Sequence, residues 1–556
     1  MSRLDVTPAT DVFPVLTLPA AGATAWVVET TQEEAAAWLA KLPRADVPQT
    51  AQLLYQALFT LNRMALDVDD RLRLLELYRP PLASVSAELW SRLPAVSLPL
   101  RPRHKQLADF IIQLQVEMAF GYKHVLLAAR VESRPWENDA VLLAVARAID
   151  ALGNVLLNHY QVYLPTPEGI WREIHGLYRY AEAHGCQGRA LAALNQNEPL
   201  SVQHSYLRAL MLGVCNPYQL PQNECHRVHA FLGAWAHRVA ISNDIGGVDP
   251  LGQFLLDLDA DHPATPFPQD VSLHTQASWR RINAIELARE VHGFVTRLQK
   301  GEMPGSRVLG FECRDATCIE VLKRMLRFWG LAARRQFARR TQRRSLALCI
   351  GLPAVHFFVN GQQPFPGLRP TNAPASRALA LPSQSELEAE ARDDASVISP
   401  TTLTYRADNR WQVRDESASG LLLARSGDLG SSVRVGDLAG IQGPGQVHWR
   451  LGVVRWVKSP GTQQVEMGVE MLAPAAQALA MRPVGLATAA YEPVLLLPAI
   501  QTLRRPATLL AGRGTLRVGE TLELVDGQSA PRRVRVLNIA ERSPNFVQAV
   551  FADAAH

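Results

Sequence analysis

The hydrophobic rhythm of this chain changes once, near residue 344, and that change sets its broad architecture. Before it, apolar residues recur three and four apart over long stretches. After it, short runs rich in Val, Leu and Ile alternate with turn residues. The first texture is helical and the second is β. A length of 556 residues exceeds what one ordinary core organises, so several domains are expected. The sequence therefore reads as an α+β multidomain protein: a large all-α N-terminal region over 1–334, then β domains.

Residues 1–30 read as an irregular or strand-bearing start. Thr31-Gln32-Glu33-Glu34 opens a helix, with acids in the first turn where the helix dipole favours them. Amphipathic stretches follow at about 52–59, 103–130, 137–161, 168–184, 199–214, 222–241, 276–299 and 315–338, punctuated by Pro165, Pro167, Pro217, Pro221, Gly246 and Pro250. No repeat period emerges, which suits a bundle or irregular helical stack. The stripe Trp171, His175, Leu177, Tyr178, Tyr180 could line a groove, but its spacing is that of any core face and core is the preferred reading. His226, His229 and His237 lack a carboxylate at metalloprotease spacing.

Beyond residue 344, strand-like runs fall at 345–359, 410–414, 420–425, 446–457 and 463–472. A Pro-, Ala-, Ser- and acid-rich stretch at about 365–402 separates the first two and reads as a disordered insertion. Further runs at Val494–Leu497, Ala507–Leu510, Thr521–Val525, Arg533–Ile539 and Phe546–Phe551 suggest a small β-rich C-terminal unit over 485–556.

The net charge of +5 is small for this length and does not by itself indicate a nucleic-acid partner. The basic character is local: residues 334–344 carry six arginines and no acid. The six cysteines show no metal-ligand spacing and read as reduced, mostly buried thiols. The near-apolar run from Ser345 to Val359 falls short of the ~20 residues a spanning helix needs. No basic head with an apolar follow-on marks a signal peptide, so no membrane span and a cytoplasmic location are expected.

Two short patterns carry the chemistry. Arg340 and Arg344 stand four apart just ahead of a strand, and Asp415, Ser417 and Gly420 form an Asp-x-Ser-x-x-Gly turn farther on. Arginine offers a planar fork of donors that grips a phosphate or reaches the O6 and N7 acceptors of guanine. The turn supplies a carboxylate, a hydroxyl and a glycine that permits close backbone approach. A carboxylate and a guanidinium together match the donors and acceptors of a guanine.

This pairing resembles the PilZ domain, a small β-barrel family that binds the bacterial second messenger cyclic di-GMP. Its pattern is RxxxR before the first strand and (D/N)xSxxG later. Arg340 and Arg344 fit the first element, with Arg339 as the frequent preceding arginine; Asp415, Ser417 and Gly420 fit the second. The run Trp449–Trp456 resembles a middle strand and Met467–Leu472 the closing one. The resemblance covers about 335–475 and implies a PilZ-like β-barrel over 335–480. The frames Arg335/Arg339, Arg339/Arg343 and Arg406/Arg410 also spell RxxxR. The last leaves no room for a first strand, and in the other two no arginine abuts the strand directly as Arg344 does.

The resemblance implies a cyclic di-GMP-binding effector that couples ligand binding at the barrel to a helical domain holding a protein partner of unknown identity. Its ligand residues would be Arg339, Arg340, Arg344, Asp415, Ser417 and Gly420. The alternative is a scaffold or chaperone-like interaction protein whose barrel binds no nucleotide. No GxxxxGK(S/T) loop, nucleophile elbow or HExxH occurs, so neither an enzyme nor a catalytic, metal or cofactor site is expected. Nucleic acid is not expected as a partner either, since the arginine cluster lacks an aromatic platform beyond Phe337.

Overall fold

The computed structural model describes residues 13–19, 27–93, 96–135, 138–191, 200–246, 249–268, 276–313, 317–330, 340–363, 365, 405–427, 432–461, 463–485, 490–501, 504–526 and 530–554. The chain divides into two compact units. One comprises Met1–Ala95, His104–Pro217 and Gln222–Arg334; the other comprises Val96–Arg103, Tyr218–Pro221 and Arg335–His556.

The first unit is built on α1 (Gln32–Ala40), α2 (Val47–Leu61), α3 (Val68–Ser91), α4 (Pro102–Val131), α5 (Asp139–Gln161), α6 (Ile170–Ala183), α7 (Val202–Val214) and α8 (Glu224–Trp235). The helices start where the sequence offers caps. Thr31, Asp46, Asp67, Asn138 and Ser201 each accept a backbone N–H from the first turn that follows. By length and composition α5 could cross a bilayer, but 83 % of its most apolar window is buried inside this unit. Buried ion pairs fix how the helices face each other. Lys123 on α4 meets Glu173 on α6 at 2.9 Å. Glu76 on α3 receives Arg147 of α5 at 3.1 Å and the Tyr122 hydroxyl of α4 at 2.7 Å. Removing one partner of such a pair strands a buried charge, so these pairs specify packing. Trp171, His175, Leu177 and Tyr178 are fully buried, and Tyr178 stacks on Tyr206 with ring centroids 4.1 Å apart. The aromatic stripe is thus core up to Tyr178, while Tyr180 at its end is half-buried. His229 is buried as well, and burial beside Arg208 pushes its pKa well below the ordinary histidine value.

This unit is not wholly helical. A four-stranded sheet, β1 (Ala240–Ser242), β2 (Gln253–Asp257), β3 (Thr265–Pro266) and β4 (Trp279–Asn283), runs in the order β1-β4-β2-β3. The expectation of an all-α region is corrected here. Residues 279–283, assigned to a helix from periodicity, pair with β2 instead. Strands this short carry too few residues for an alternation to show. After the sheet come α9 (Ile285–Gln299), α10 (Ser306–Leu309) and α11 (Thr317–Gly330). Cys313 and Cys318 form a disulfide with Cα atoms 5.6 Å apart, which corrects the reading of those two as thiols; Cys215, Cys225 and Cys349 are free and buried.

The second unit holds two closed six-stranded barrels. The first comprises β5 (Arg340–Ile350), β6 (Asp408–Glu416), β7 (Gly420–Ser426), β8 (Leu438–Gln442), β9 (Arg450–Lys458) and β10 (Gln464–Ala473), in the order β10-β7-β6-β5-β8-β9. The apolar run 345–359, expected as one strand, is β5 followed by a helix, α12 (Leu352–Val359). Gly351 turns the chain at φ +91° and Pro353 occupies the first helical turn. A continuous apolar run has no period to separate these two states. The insertion expected at about 365–402 lies outside the described residues, apart from Phe365. Within the same unit, Leu98 exchanges two backbone hydrogen bonds of 3.0 Å with Val433.

The second barrel comprises β11 (Gln477–Pro483), β12 (Glu492–Leu497), β13 (Thr508–Gly512), β14 (Thr521–Val525), β15 (Arg532–Arg542) and β16 (Phe546–Asp553), in the order β11-β12-β13-β16-β15-β14. It begins at β11, ahead of the boundary near 480–485 that sequence texture suggested. A single buried cluster joins the two barrels. Cys349, Leu352, Val355 and Leu451 pack with Leu495, Leu497, Leu510 and Phe546. His356 of α12 reaches the Leu479 carbonyl at 3.0 Å.

A polar contact completes this seam. Asp437 accepts the Arg434 N–H at 2.7 Å and the Asn545 side-chain amide from the second barrel. Burial pushes the Asp437 carboxyl up to about 6, against the hydrogen bonds and the Arg434 charge that favour its ionised form. A carboxyl with a raised folded pKa binds its proton more tightly when native. Stability is therefore lost as pH rises from the ordinary 3.8 through about 6, and stays lower above it. Asp437→Asn carries no such titration. Relative to wild type it should gain about 2 kcal/mol between about pH 4 and pH 7, read from denaturant midpoints; a gap that does not change with pH would refute this account.

Candidate functional site

Antiparallel pairing of β5 with β6 sets Arg340 across from Glu416, Thr341 across from Asp415 and Arg344 across from Val413. One extra residue on β5 between Thr341 and Arg344 makes a bulge, which re-aims the strand at this point. The start of β5, the end of β6 and the start of β7 therefore share one rim of the first barrel. Arg340, Arg344, Asp415, Ser417 and Gly420 are brought together there. Arg339 lies outside the described residues.

The turn between β6 and β7 is built from its own residues. The Ser417 N–H donates to the Gly420 carbonyl at 2.8 Å, and the Ser417 hydroxyl lies 3.3 Å from the same oxygen. The Met471 N–H on β10 donates to the Ser419 carbonyl at 2.9 Å, tying the turn to the neighbouring strand. Gly420 faces Glu470 in the register, and a Cβ there would sit 2.7 Å from the Val469 carbonyl oxygen. No side chain fits, which is why the motif needs glycine at this position.

Charge at the rim is shared unevenly between arginines and glutamates. The Arg344 guanidinium donates to Glu416 Oε2 at 2.7 Å, and Arg450 at the start of β9 lies 3.5 Å from Glu416 Oε1. Arg344 is half-buried, on the same strand face as the buried Leu346 and Leu348, whereas Arg340, beyond the bulge, is exposed. Next to the turn opens a cavity of about 180 Å³ lined by Asp415, Ser417, Gly420, Arg455, Trp456 and Glu470. The indole of Trp456 lies over Gly468, where a Cβ would come within 1.9 Å of its Nε1. Arg455 donates to Glu470 at 2.6 Å and grips Glu541 of the second barrel at 2.5 and 3.0 Å. Burial opposes the Arg455 charge, but the bonds and charges of Glu541 and Glu470 outweigh it and hold the guanidinium above its ordinary value. Among the described residues, no group of three or more His, Cys, Asp or Glu could hold a metal ion.

Sequence reading missed Glu416, Arg450, Arg455, Trp456, Gly468 and Glu470. Glu416 stood in plain view inside the Asp415–Gly420 motif, at a position the pattern leaves free. Arg450, Arg455 and Trp456 lay in a run recognised as a strand, with nothing to show which of them reaches the rim.

A closed six-stranded barrel whose rim joins an RxxxR strand to a DxSxxG turn defines a PilZ-type barrel protein. The comparisons agree. Residues 33–244 match the family described as "Cyclic-di-GMP receptor FimW, N-terminal domain". Residues 253–407 and 383–478 match its "middle PilZ domain", and residues 479–554 match the "FimW C-terminal beta-barrel domain". A curated relative, the cyclic-di-GMP receptor FimW of Pseudomonas aeruginosa, is 30 % identical over 554 residues, covering 89 % of this chain and 86 % of that protein. The chain belongs to the FimW family.

The Trp456–Gly468 contact is open to test. Gly468→Ala should push the indole out of place and destabilise the barrel by about 1–3 kcal/mol, the usual range for overpacking. In a Trp456→Ala background the same change should cost at least about 1 kcal/mol less, the mark of two residues in direct contact. Additive effects in thermal unfolding would contradict the assigned packing.

Proposed function

We propose that this protein is a cyclic di-GMP-binding effector whose ligand site is the first barrel's rim. The observation that carries this is the register of β5 against β6, which lays Arg340 and Arg344 beside the Asp415–Gly420 turn. Arg340 and Arg344 grip phosphate oxygens through their forked donors. The Asp415 carboxylate takes guanine N–H donors, and the Trp456 ring offers an apolar face to a base. At about 180 Å³ the cavity is smaller than an ordinary small-molecule pocket of roughly 300–1,000 Å³. It lodges part of a dinucleotide, and the arginines on the β5 edge supply the rest of the grip, with Arg339 ahead of them on the chain.

The protein acts by binding and not by catalysis. The helical unit is the part that holds a protein partner. The first unit ends at Arg334 and β5 begins at Arg340, so the signal passes by ordering of the arginines on phosphate contact, in the manner of other phosphate-ordered segments. The ligand biases the partner-binding state only to the extent that it binds one arrangement better than another. We place this coupling in the cytoplasm.

Titration calorimetry of the full chain should give micromolar or tighter binding of cyclic di-GMP. Arg344→Ala and Asp415→Ala should each weaken it by roughly 30-fold or more, the usual loss when one charge-assisted contact is removed. Absence of heat with the wild-type chain refutes the ligand assignment. A set of proteins captured by the full chain that is the same with and without the nucleotide would favour a scaffold instead.

A further inference from the structure

Glu416 occupies the free position between Asp415 and Ser417, yet it is the acid at the centre of the rim. It meets Arg344 from β5 at 2.7 Å and Arg450 from β9 at 3.5 Å. These strands are not neighbours in the barrel, since β8 runs between them. One carboxylate therefore serves two cations from separate parts of the rim. It does not satisfy them. Arg344 Nε, Arg450 Nε and Arg450 Nη2 are buried and meet no acceptor among the described residues. Buried guanidinium donors without acceptors are costly. Glu416 alone leaves these three donors unfilled, and an added anion could fill them.

We propose that Glu416 sets the affinity of this site: it is an internal counter-ion that engages Arg344 in the ligand-free protein, and an anionic nucleotide binds by taking Arg344 from it. This deepens the proposed function and rests on it. A phosphodiester brought to Arg344 meets Glu416 at close range, so the like-charge repulsion falls on the bound state alone. Removing that charge leaves the arginines uncommitted and the repulsion gone. In the competing case the three residues simply brace the barrel rim, and neutralising Glu416 brings no gain in affinity.

Glu416→Gln keeps the length of the side chain and one acceptor while deleting its charge. Titration calorimetry of the full chain with cyclic di-GMP compares it with wild type at low and at moderate salt. The variant should bind roughly tenfold tighter at low salt, the scale of one near charge at a partly exposed site. That advantage should shrink as salt rises. Wild type that binds while Glu416→Gln binds equally or more weakly overturns the inference and leaves the ligand assignment standing. Binding by neither chain overturns the ligand assignment itself, whereas binding by the variant alone supports the counter-ion role. Should Glu416→Gln fail to fold, Glu416→Asp withdraws the carboxylate by one methylene and should tighten binding by a few-fold; no gain there overturns the inference equally.

Discussion

The pairing of β5 with β6 is the constraint on which the site depends. Arg344 and Asp415 lie about seventy residues apart, and nothing local connects them. Ser345 pairs with Gln412 and Leu346 with Trp411; continued unbroken, that register would set Thr341 across from Glu416, and the extra residue of the bulge moves it to Asp415. That register is secured by burial. Trp411 and Val413 are fully buried, Leu346 and Leu348 nearly so, and a slip by one residue would turn all of them to the opposite face. The hydrophobic core of the barrel thus places polar residues that contribute nothing to that core.

The same logic extends to the second barrel. Its strands close on their own core of Leu479, Val494, Leu509, Leu522, Val534 and Val547. A further apolar cluster and the helix α12 hold it to the first barrel. Across that seam Glu541 holds Arg455, which lines the cavity. The site is therefore not the property of one barrel. Its arginines are held by glutamates, Glu416 for Arg344 and Arg450, Glu470 and Glu541 for Arg455. Pairing of this kind keeps several cations near one another without a ligand, because a carboxylate offsets part of the hydration each has lost, although Arg344 and Arg450 keep buried donors unfilled.

Much of this was legible in the chain itself. Long amphipathic stretches predicted helices close to α4, α5, α6 and α7, since a helix of three or more turns repeats its pattern often enough to be read. Strands β6, β7, β9 and β10 were visible as short runs of strand-forming residues set off by turn residues. The strands β1 to β4 were not, and neither was β8, whose five residues Leu438–Gln442 are nearly all buried and show no alternation. The helix α12 hid inside an apolar run whose composition suits a strand equally well. Gly351 and Pro353 were the signal that could have divided it.

The sequence by itself determined the two short patterns on which the proposed ligand site rests. Two arginines four apart and an Asp-x-Ser-x-x-Gly turn can be recognised anywhere, because spacing along one segment is a local property of the backbone. Only the tertiary structure decided that Glu416, Arg450, Arg455 and Glu470 lie at the same rim. Their partners come from other strands and, for Arg455, from another barrel. Such contacts depend on register and barrel closure, which hydrophobic burial over the whole domain sets and no short stretch of sequence encodes.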